Sequence, residues 1–255
     1  MTAAKADTSR QQDRLSTAAF KKPTAGSPLP TGTYKSQLGQ DKYIDDLLHG
    51  LTNGFFVESG AHDGTGLSNT LFLEASRNWT GLLVEANPML FQTLVNTSNR
   101  TASLAINACL SPTGKHEELE FLLGGFLGGL AAFMPEYHKQ RMRNEIQAAG
   151  GEQAAGPTNT GKTVNITCWP LHEIMAALGK TKIDYWSLDT EGSEPGILNA
   201  TDFSKIEVSV MTVEVNDGEA RAKVEKVMAT KPFRLHFVLG SDLVYVSNNF
   251  QAHTH

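Results

Sequence analysis

A chain of 255 residues, 40% hydrophobic and 8% aromatic, can bury one substantial core, so one domain plus a tail is expected. Its formal net charge of −5 supplies no basic field for a phosphate backbone, which argues against nucleic acid as a partner. Only two cysteines occur, Cys109 and Cys168, with no CxxC pair, so they read as buried free thiols rather than a disulfide framework or a zinc knuckle.

Residues 1–33 are polar and rich in Ala, Ser, Thr, Lys and Pro, and they carry no period to bury, so a disordered tail or linker is expected. In "SQLGQDKYIDDLLHG", Tyr43, Ile44, Leu47 and Leu48 fall at helical spacing before Gly50. "FFVES" then reads as a strand running into a glycine turn, and "SNTLFLEAS" as a helix with Leu71, Phe72 and Ala75 on one face. A second strand, "GLLVEA", precedes the helix "NPMLFQTLV", with Asn87 as N-cap and Pro88 in the first turn. "ASLAINACL" is a third strand. Residues 115–162 break the rhythm, glycine-rich at both ends and helical in the middle, which is the pattern of a lid or binding loop.

After that insertion, "PLHEIMAALG" places Leu171, Ile174, Met175 and Leu178 on one helical face and leads into the strand "IDYWSLD". A fifth strand, "VSVMTVEV", precedes a helix that Asn216 and Glu219 can open as a capping box and that ends before Pro232. "RLHFVLG" and "DLVYVSN" close the chain as a hairpin. Strands alternating with helices predict an α/β fold, a mostly parallel sheet covered on both faces, with an antiparallel C-terminal edge.

The stretch "FFVESGAHDG" puts Glu58 where the first strand runs out. A dinucleotide site there needs G-x-G-x-x-G, but Glu58 and Asp63 take the first and third glycine positions, and no G-x-x-x-x-G-K-[ST] loop occurs. A nicotinamide dehydrogenase is therefore disfavoured. A carboxylate at this mouth suits a cationic ligand, such as a sulfonium or ammonium, better than a phosphate. At the end of the next strand stands Glu85, an acid that can take two hydroxyl donors.

Glu58-x-Gly60-x-x-x-Gly64 with Glu85 resembles the S-adenosylmethionine site of class I methyltransferases. With "SQLGQD", "SNT", "GLLVEANP" and "LDTEGSE" in that order, the chain from about Gln37 to Asn216 resembles the FkbM-type methyltransferases, although the segment 115–162 has no counterpart in the resemblance. It implies a Rossmann-like class I sandwich with a seven-stranded sheet, residues 34–255 forming the domain. It also implies S-adenosylmethionine as cofactor, held by Glu58, Gly60, Ala61, Gly64, Ser68, Glu85, Ala86, Ala108, Cys109 and Asp189. The activity implied is O-methylation of a sugar, glycan or similar hydroxylated acceptor. The alternatives are a small natural product as acceptor, or a non-catalytic binding or trafficking module that keeps the fold.

Methyl transfer to an alcohol needs donor and acceptor aligned and the hydroxyl proton removed. Asp189 and Glu191 at the end of the fourth strand and Glu214 at the end of the fifth are the candidate bases. They can alternatively hold a divalent cation, Mg or Mn, because no histidine pair has ligand spacing and any ion there is a hard one bound by oxygens. In the bland reading, Glu191 or Glu194 caps the next helix. His62, where the family more often has a small or amide residue, is a further catalytic candidate. Tyr137, His138, Lys139, Arg141 and Arg143 either line an acceptor cleft or form a solvated helix face, and Tyr245 and Trp186 either stack on a sugar or belong to the core.

No apolar run reaches the roughly 18 residues of a membrane span, and the N-terminus lacks signal-peptide order. Five Asn-x-Ser/Thr sequons occur, at Asn78, Asn96, Asn99, Asn165 and Asn199, against about two expected by chance. The compartment stays open between cytoplasm and secretory lumen.

Overall fold

The computed structural model describes residues 15, 20–24, 28–151 and 156–251. Helix α1 (Gln40–Leu47) leads into β1 (Phe55–Ser59), whose five residues are all buried, as a central strand covered on both faces requires. Then follow α2 (Leu71–Arg77), β2 (Thr80–Glu85), α3 (Pro88–Thr97) and β3 (Ser103–Asn107). Asn87 caps α3, its side chain accepting from the amides of Met89 and Leu90.

Past the insertion come β7 (Thr163–Trp169), α5 (Leu171–Ala177), β8 (Lys182–Leu188), α6 (Glu194–Ala200), β9 (Glu207–Glu214) and α7 (Gly218–Met228). Strands β10 (Phe233–Leu239) and β11 (Asp242–Ser247) form the closing hairpin. The main sheet runs β10-β11-β9-β8-β1-β2-β3, with β1, β2, β3, β8 and β9 parallel and β11 antiparallel to both neighbours. The chain winds outward from β1 to β3 and then restarts on the other side at β8. The switch point between β1 and β8 is where an open sheet splays its loops apart and a crevice forms.

One apolar core lies under α5, α6 and α7, and a second under α1, α2 and α3. Trp186 and Tyr245 belong to the first and are 0% and 3% exposed, so of the two readings open for them the structure favours the core over a sugar-stacking surface. Among the described residues, no helix is long and apolar enough to cross a membrane.

Four sequence expectations are corrected. "ASLAINACL" is two strands, because the Ala108 amide donates to the Glu85 carbonyl and the Asn107 amide group to the same oxygen, turning the chain out of the main sheet. The residues beyond, β4 (Cys109–Leu110), pair with β7 in a second sheet of order β4-β7-β5-β6, with β5 Glu117–Leu122 and β6 Gly129–Leu130. That register sets Cys109 directly opposite Cys168 with Cα atoms 4.4 Å apart, and the two form a disulfide rather than free thiols.

The third correction is at α7, where the cap is Asp217, accepting from the Ala220 amide, instead of Asn216. In the expected tail, residues 20–24 are held: Lys21 and Ala105 exchange two backbone hydrogen bonds of 2.7 Å, and Leu15 is buried in the core. The rest of residues 1–19 and residues 25–27 lie outside the described residues.

The insertion supplies β5, a short 3-10 turn (Gly125–Leu127), β6 and α4 (Glu136–Ala148). Met142 and Ile146 of α4 pack on Leu127, which brings the 3-10 turn over the carboxyl ends of the main sheet.

Candidate functional site

A cavity of about 470 Å³ opens beyond the carboxyl ends of β1, β2, β8 and β9, roofed by the 3-10 turn. Of the residues expected to hold a cofactor, Glu58, Gly60, Ala61, Ser68, Glu85, Ala86, Ala108, Cys109 and Asp189 all line it, and Gly64 does not.

Glu58 is not a free charge at the mouth. It is 4% exposed, and its carboxylate accepts from Ser68 Oγ (2.9 Å), Thr70 Oγ1 (2.6 Å) and the Asn69 amide (2.7 Å). Arg100, fully buried and absent from the sequence reading, stands 3.7 Å away. Its guanidinium also donates to Glu74 at 2.7 Å, Thr70 at 2.7 Å, the Gly64 carbonyl at 2.8 Å and Ser68 at 3.1 Å. Burying these charges is tolerable because each is paired and multiply hydrogen-bonded. Glu58 thus organises the loop 68–70 instead of presenting a charge to a ligand.

That loop delivers Asn69, which sequence reasoning passed over inside "SNT". Its Nδ2 donates to Ser187 Oγ of β8 (2.9 Å), while its buried Oδ1 has no hydrogen-bond partner. A buried amide oxygen without a donor carries a free-energy cost of roughly 1–3 kcal/mol that a bound donor would relieve. Asn69 lines the cavity at the switch point.

The glycines are explained by packing. A Cβ on Gly60, at φ +86°, would lie 1.9 Å from the Asp189 carbonyl oxygen, so only glycine lets β1 turn against the end of β8. A Cβ on Gly64 would meet Ser98 and Leu94 of the α3 layer at 3.0 and 3.1 Å, a requirement of helix packing outside the cavity.

On the β2 side, Glu85 is 5% exposed and accepts from the amides of His62 and Asn87, both at 2.7 Å. Burial pushes its carboxyl up to about 7, against the pull of these two donors. Two donors fill part of a carboxylate's roughly four acceptor positions, leaving room for two hydroxyls. His62 itself sits at φ 51° and stacks on Phe126 of the 3-10 turn, centroids 3.7 Å apart and planes at 8°. The imidazole beside Asp63 holds that carboxyl well below the usual range. The contacts of His62 are therefore with Glu85 through its amide, with Asp63 and with the roof.

At the other end the carboxylates meet one another. Asp189 follows β8 and has a carboxylate oxygen within 4.8 Å of one on Glu214 at the end of β9, and burial together with the charges of Glu214 and Glu191 raises its carboxyl well above the usual range. Glu191, at φ 57°, is raised by burial and by Glu214. Asn216 bridges the pair, donating to Glu191 at 3.1 Å and Glu214 at 3.0 Å. His138 of α4 comes within 3.4 Å of Glu191, and burial holds this imidazole below its ordinary pKa.

The trio whose ligand oxygens lie within 4.8 Å of one another is Asp189, Glu194 and Glu214, so Glu194 replaces Glu191 in the set expected to suit a cation. Glu194 accepts from the amides of Thr190 (2.7 Å) and Gly192 (3.0 Å) in the turn before α6, so it braces that turn instead of capping the helix, whose N-cap Ser193 makes no side-chain capping bond, and burial pushes it up to about 7. Of the five insertion residues considered for an acceptor cleft, Arg141 lines the cavity, whereas Arg143 pairs with Glu136 at 2.6 Å on the solvated face. Tyr137 bonds to Asp217, and its hydroxyl is pushed up to about 12 chiefly by burial.

Residues 58–236, the span from the first acid to β10, match the family model of the methyltransferase FkbM domain. The chain belongs to the FkbM methyltransferase family. No curated protein matches it. Among solved structures, it is similar to methyltransferase FkbM from Methylobacillus flagellatus KT, with 12% identity and a TM-score of 0.42 over 76% of this chain and 43% of that one. The FkbM chain thus spans less than half the length of that relative. It is also similar to precorrin-6y C5,15-methyltransferase from Geobacter metallireducens GS-15 (7% identity, TM-score 0.42, 88% of this chain and 94% of that one). A third is the putative methyltransferase yhhF from Escherichia coli (11% identity, TM-score 0.41, 89% and 97%).

Proposed function

We propose that this FkbM-family chain is an S-adenosylmethionine-dependent O-methyltransferase acting on a hydroxyl of a sugar, glycan or similar polyhydroxyl acceptor. The observation that carries the reading is Glu85, a buried carboxylate clamped by two amides with acceptor positions to spare on the cavity wall. It suits a vicinal diol such as a ribose. The orphaned Asn69 oxygen across the switch point suits an ammonium donor, so the two ends of the cavity fit the two ends of the cofactor. When bound, that cofactor supplies an electrophilic methyl group on a sulfonium.

The chain's own residues do the rest. Ala61, Ala86 and Ala108 offer an apolar wall beside Glu85, and the buried roof residue Leu127 excludes water from it, while the exposed Phe126 stacks on His62 at the rim. Asp189, whose carboxyl is raised by burial and by the charges of Glu214 and Glu191, takes the acceptor's hydroxyl proton as charge develops on oxygen. Asn216 holds Glu191 and Glu214 beside it. Acid residues around this end disfavour phosphorylated or carboxylated acceptors and favour neutral ones rich in hydroxyl donors. A Mg or Mn ion among Asp189, Glu194 and Glu214 is the alternative way to acidify the hydroxyl.

The test is methyl transfer from isotopically labelled S-adenosylmethionine to a panel of free sugars, glycosides and polyols, read by mass spectrometry, with EDTA and added Mg or Mn in parallel. Transfer to a hydroxyl that survives EDTA supports Asp189 as the base. Transfer abolished by EDTA moves the role to a cation. No transfer to any acceptor, with cofactor bound, removes the polyhydroxyl assignment.

A further inference from the structure

Two features that the proposed methyl transfer does not use point to the same conclusion, although one of their residues, Cys109, also lines the cavity wall. The first is the Cys109–Cys168 disulfide, which uses both cysteines of the chain and ties β4 to β7. Its sulfurs belong to residues 6% and 0% exposed, packed with Phe121, Leu123, Leu130 and Ile166. A bond enclosed in this way forms while the chain folds, before the small sheet closes over it. Cytosolic thiol pools oppose that step and an oxidising secretory lumen favours it.

The second feature is the excess of Asn-x-Ser/Thr sequons and where they fall. Asn78, Asn96, Asn165 and Asn199 are exposed and Asn99 is half-buried, and none of the five lines the cavity. Asn78 occupies the left-handed turn that ends α2, at φ 56°, with its Thr80 hydroxyl residue also exposed. Its Nδ2 donates to Asn53 Oδ1, and a glycosylated amide keeps one N–H, so that bond survives modification. Asn165 lies on the outward face of β7, across from Glu120, while its neighbours Ile166 and Cys168 fill the small core. A bulky polar group at either position projects into solvent.

We propose that this protein folds in an oxidising secretory lumen and carries N-linked glycans at Asn78 and Asn165. In the modification, the Asn Nδ2 bonds to the anomeric carbon of a lipid-diphosphate-linked oligosaccharide. The anomeric C–O bond breaks, the lipid diphosphate leaves with the electron pair, and the amide gives up one proton. In the oxidation, the two thiols lose two protons and two electrons to the disulfide form of a thiol–disulfide oxidoreductase, which departs as its dithiol.

The protein isolated from its source cells provides the test, which does not depend on the methyl-transfer reading. It is digested with peptide N-glycosidase and mapped by mass spectrometry, and alkylated with iodoacetamide with and without prior reduction. The expected result is conversion of Asn78 and Asn165 to Asp on deglycosylation and alkylation of Cys109 and Cys168 after reduction alone. Asn78→Gln and Asn165→Gln, expressed in the same cells, each remove one mobility step. Unmodified Asn78 and Asn165 peptides overturn the glycan assignment whatever the thiol state. Alkylation of both cysteines without reduction overturns the lumenal folding, and glycan confined to the other three sequons overturns the choice of sites.

Discussion

At the β2 end of the cavity, acids are answered by fixed donors: Glu58 by two hydroxyls, an amide and Arg100, and Glu85 by two amides. At the β9 end, acids face one another, with Asp189 close to Glu214 and Glu191 held beside them by Asn216. The first arrangement is preorganised by its donors. In the second, burial and neighbouring acids raise Asp189 and Glu191 above the usual carboxylate range, which suits a group that accepts a proton during a reaction. In the proposed function, binding and chemistry are therefore separated along one crevice.

Changes at the β9 end should strike rate and spare binding. Asp189→Asn removes the raised carboxyl proposed as base, and methyl transfer should fall by about 10²–10⁴-fold, read as kcat, with cofactor affinity within about threefold of the parent. An equal loss in both would merge the two ends into one binding site. Changes at the β2 end should instead strike stability and binding. Arg100→Met strands Glu58 and Glu74 as buried unpaired acids, at a cost of roughly 3–5 kcal/mol, which thermal unfolding should show as a Tm about 10 °C lower.

Asn69→Ala sharpens the division further. It should weaken S-adenosylmethionine about tenfold in calorimetry and leave 5′-methylthioadenosine, which lacks the amino-acid end, unchanged. Glu85 sets the pH dependence. Its carboxyl is neutral below about 7 in the free protein, and hydroxyl donors bind the ionised form, so affinity should fall as pH falls, about tenfold from pH 8 to pH 6. Flat affinity across that range would mean that the ionised carboxylate is not the acceptor. The smallest effect is expected at the roof, where Phe126→Ala removes the stack on His62 and should raise the acceptor KM about threefold, consistent with an aromatic pair worth about 0.5–1.5 kcal/mol.

What could be read from the sequence followed from periodicity and strand ends. The order of strands and helices, Asn87 as a cap and the placement of Glu85, Asp189 and Glu214 at strand termini all follow from local pattern. The misreadings share a cause, which is partners distant in the chain. Glu58 reads as a free charge because Arg100 reaches it only after the chain has passed through α2, β2 and α3, and because Ser68 and Thr70 bond to it only once the loop before α2 folds back over β1. Gly60 counts among the cofactor residues in the resemblance, and what makes it a glycine here is the Asp189 carbonyl just past β8, more than a hundred residues later. The disulfide joins residues 59 apart, with no motif to announce it, and became visible only when Asn107 and Ala108 turned β4 out of the main sheet. Asn69 carried one signal, an amide between two hydroxyl residues after a glycine turn, but its meaning depended on an unpartnered oxygen that only the folded chain shows.

The most direct measurement is a calorimetric titration of S-adenosylmethionine into the wild-type protein and into Glu85→Ala at pH 8. Two hydrogen bonds to a carboxylate contribute roughly 1.5–3 kcal/mol each, so micromolar binding to the wild type should weaken by at least about 100-fold in Glu85→Ala. Equal binding by both proteins, or binding by neither, would contradict a cofactor site built around this acid.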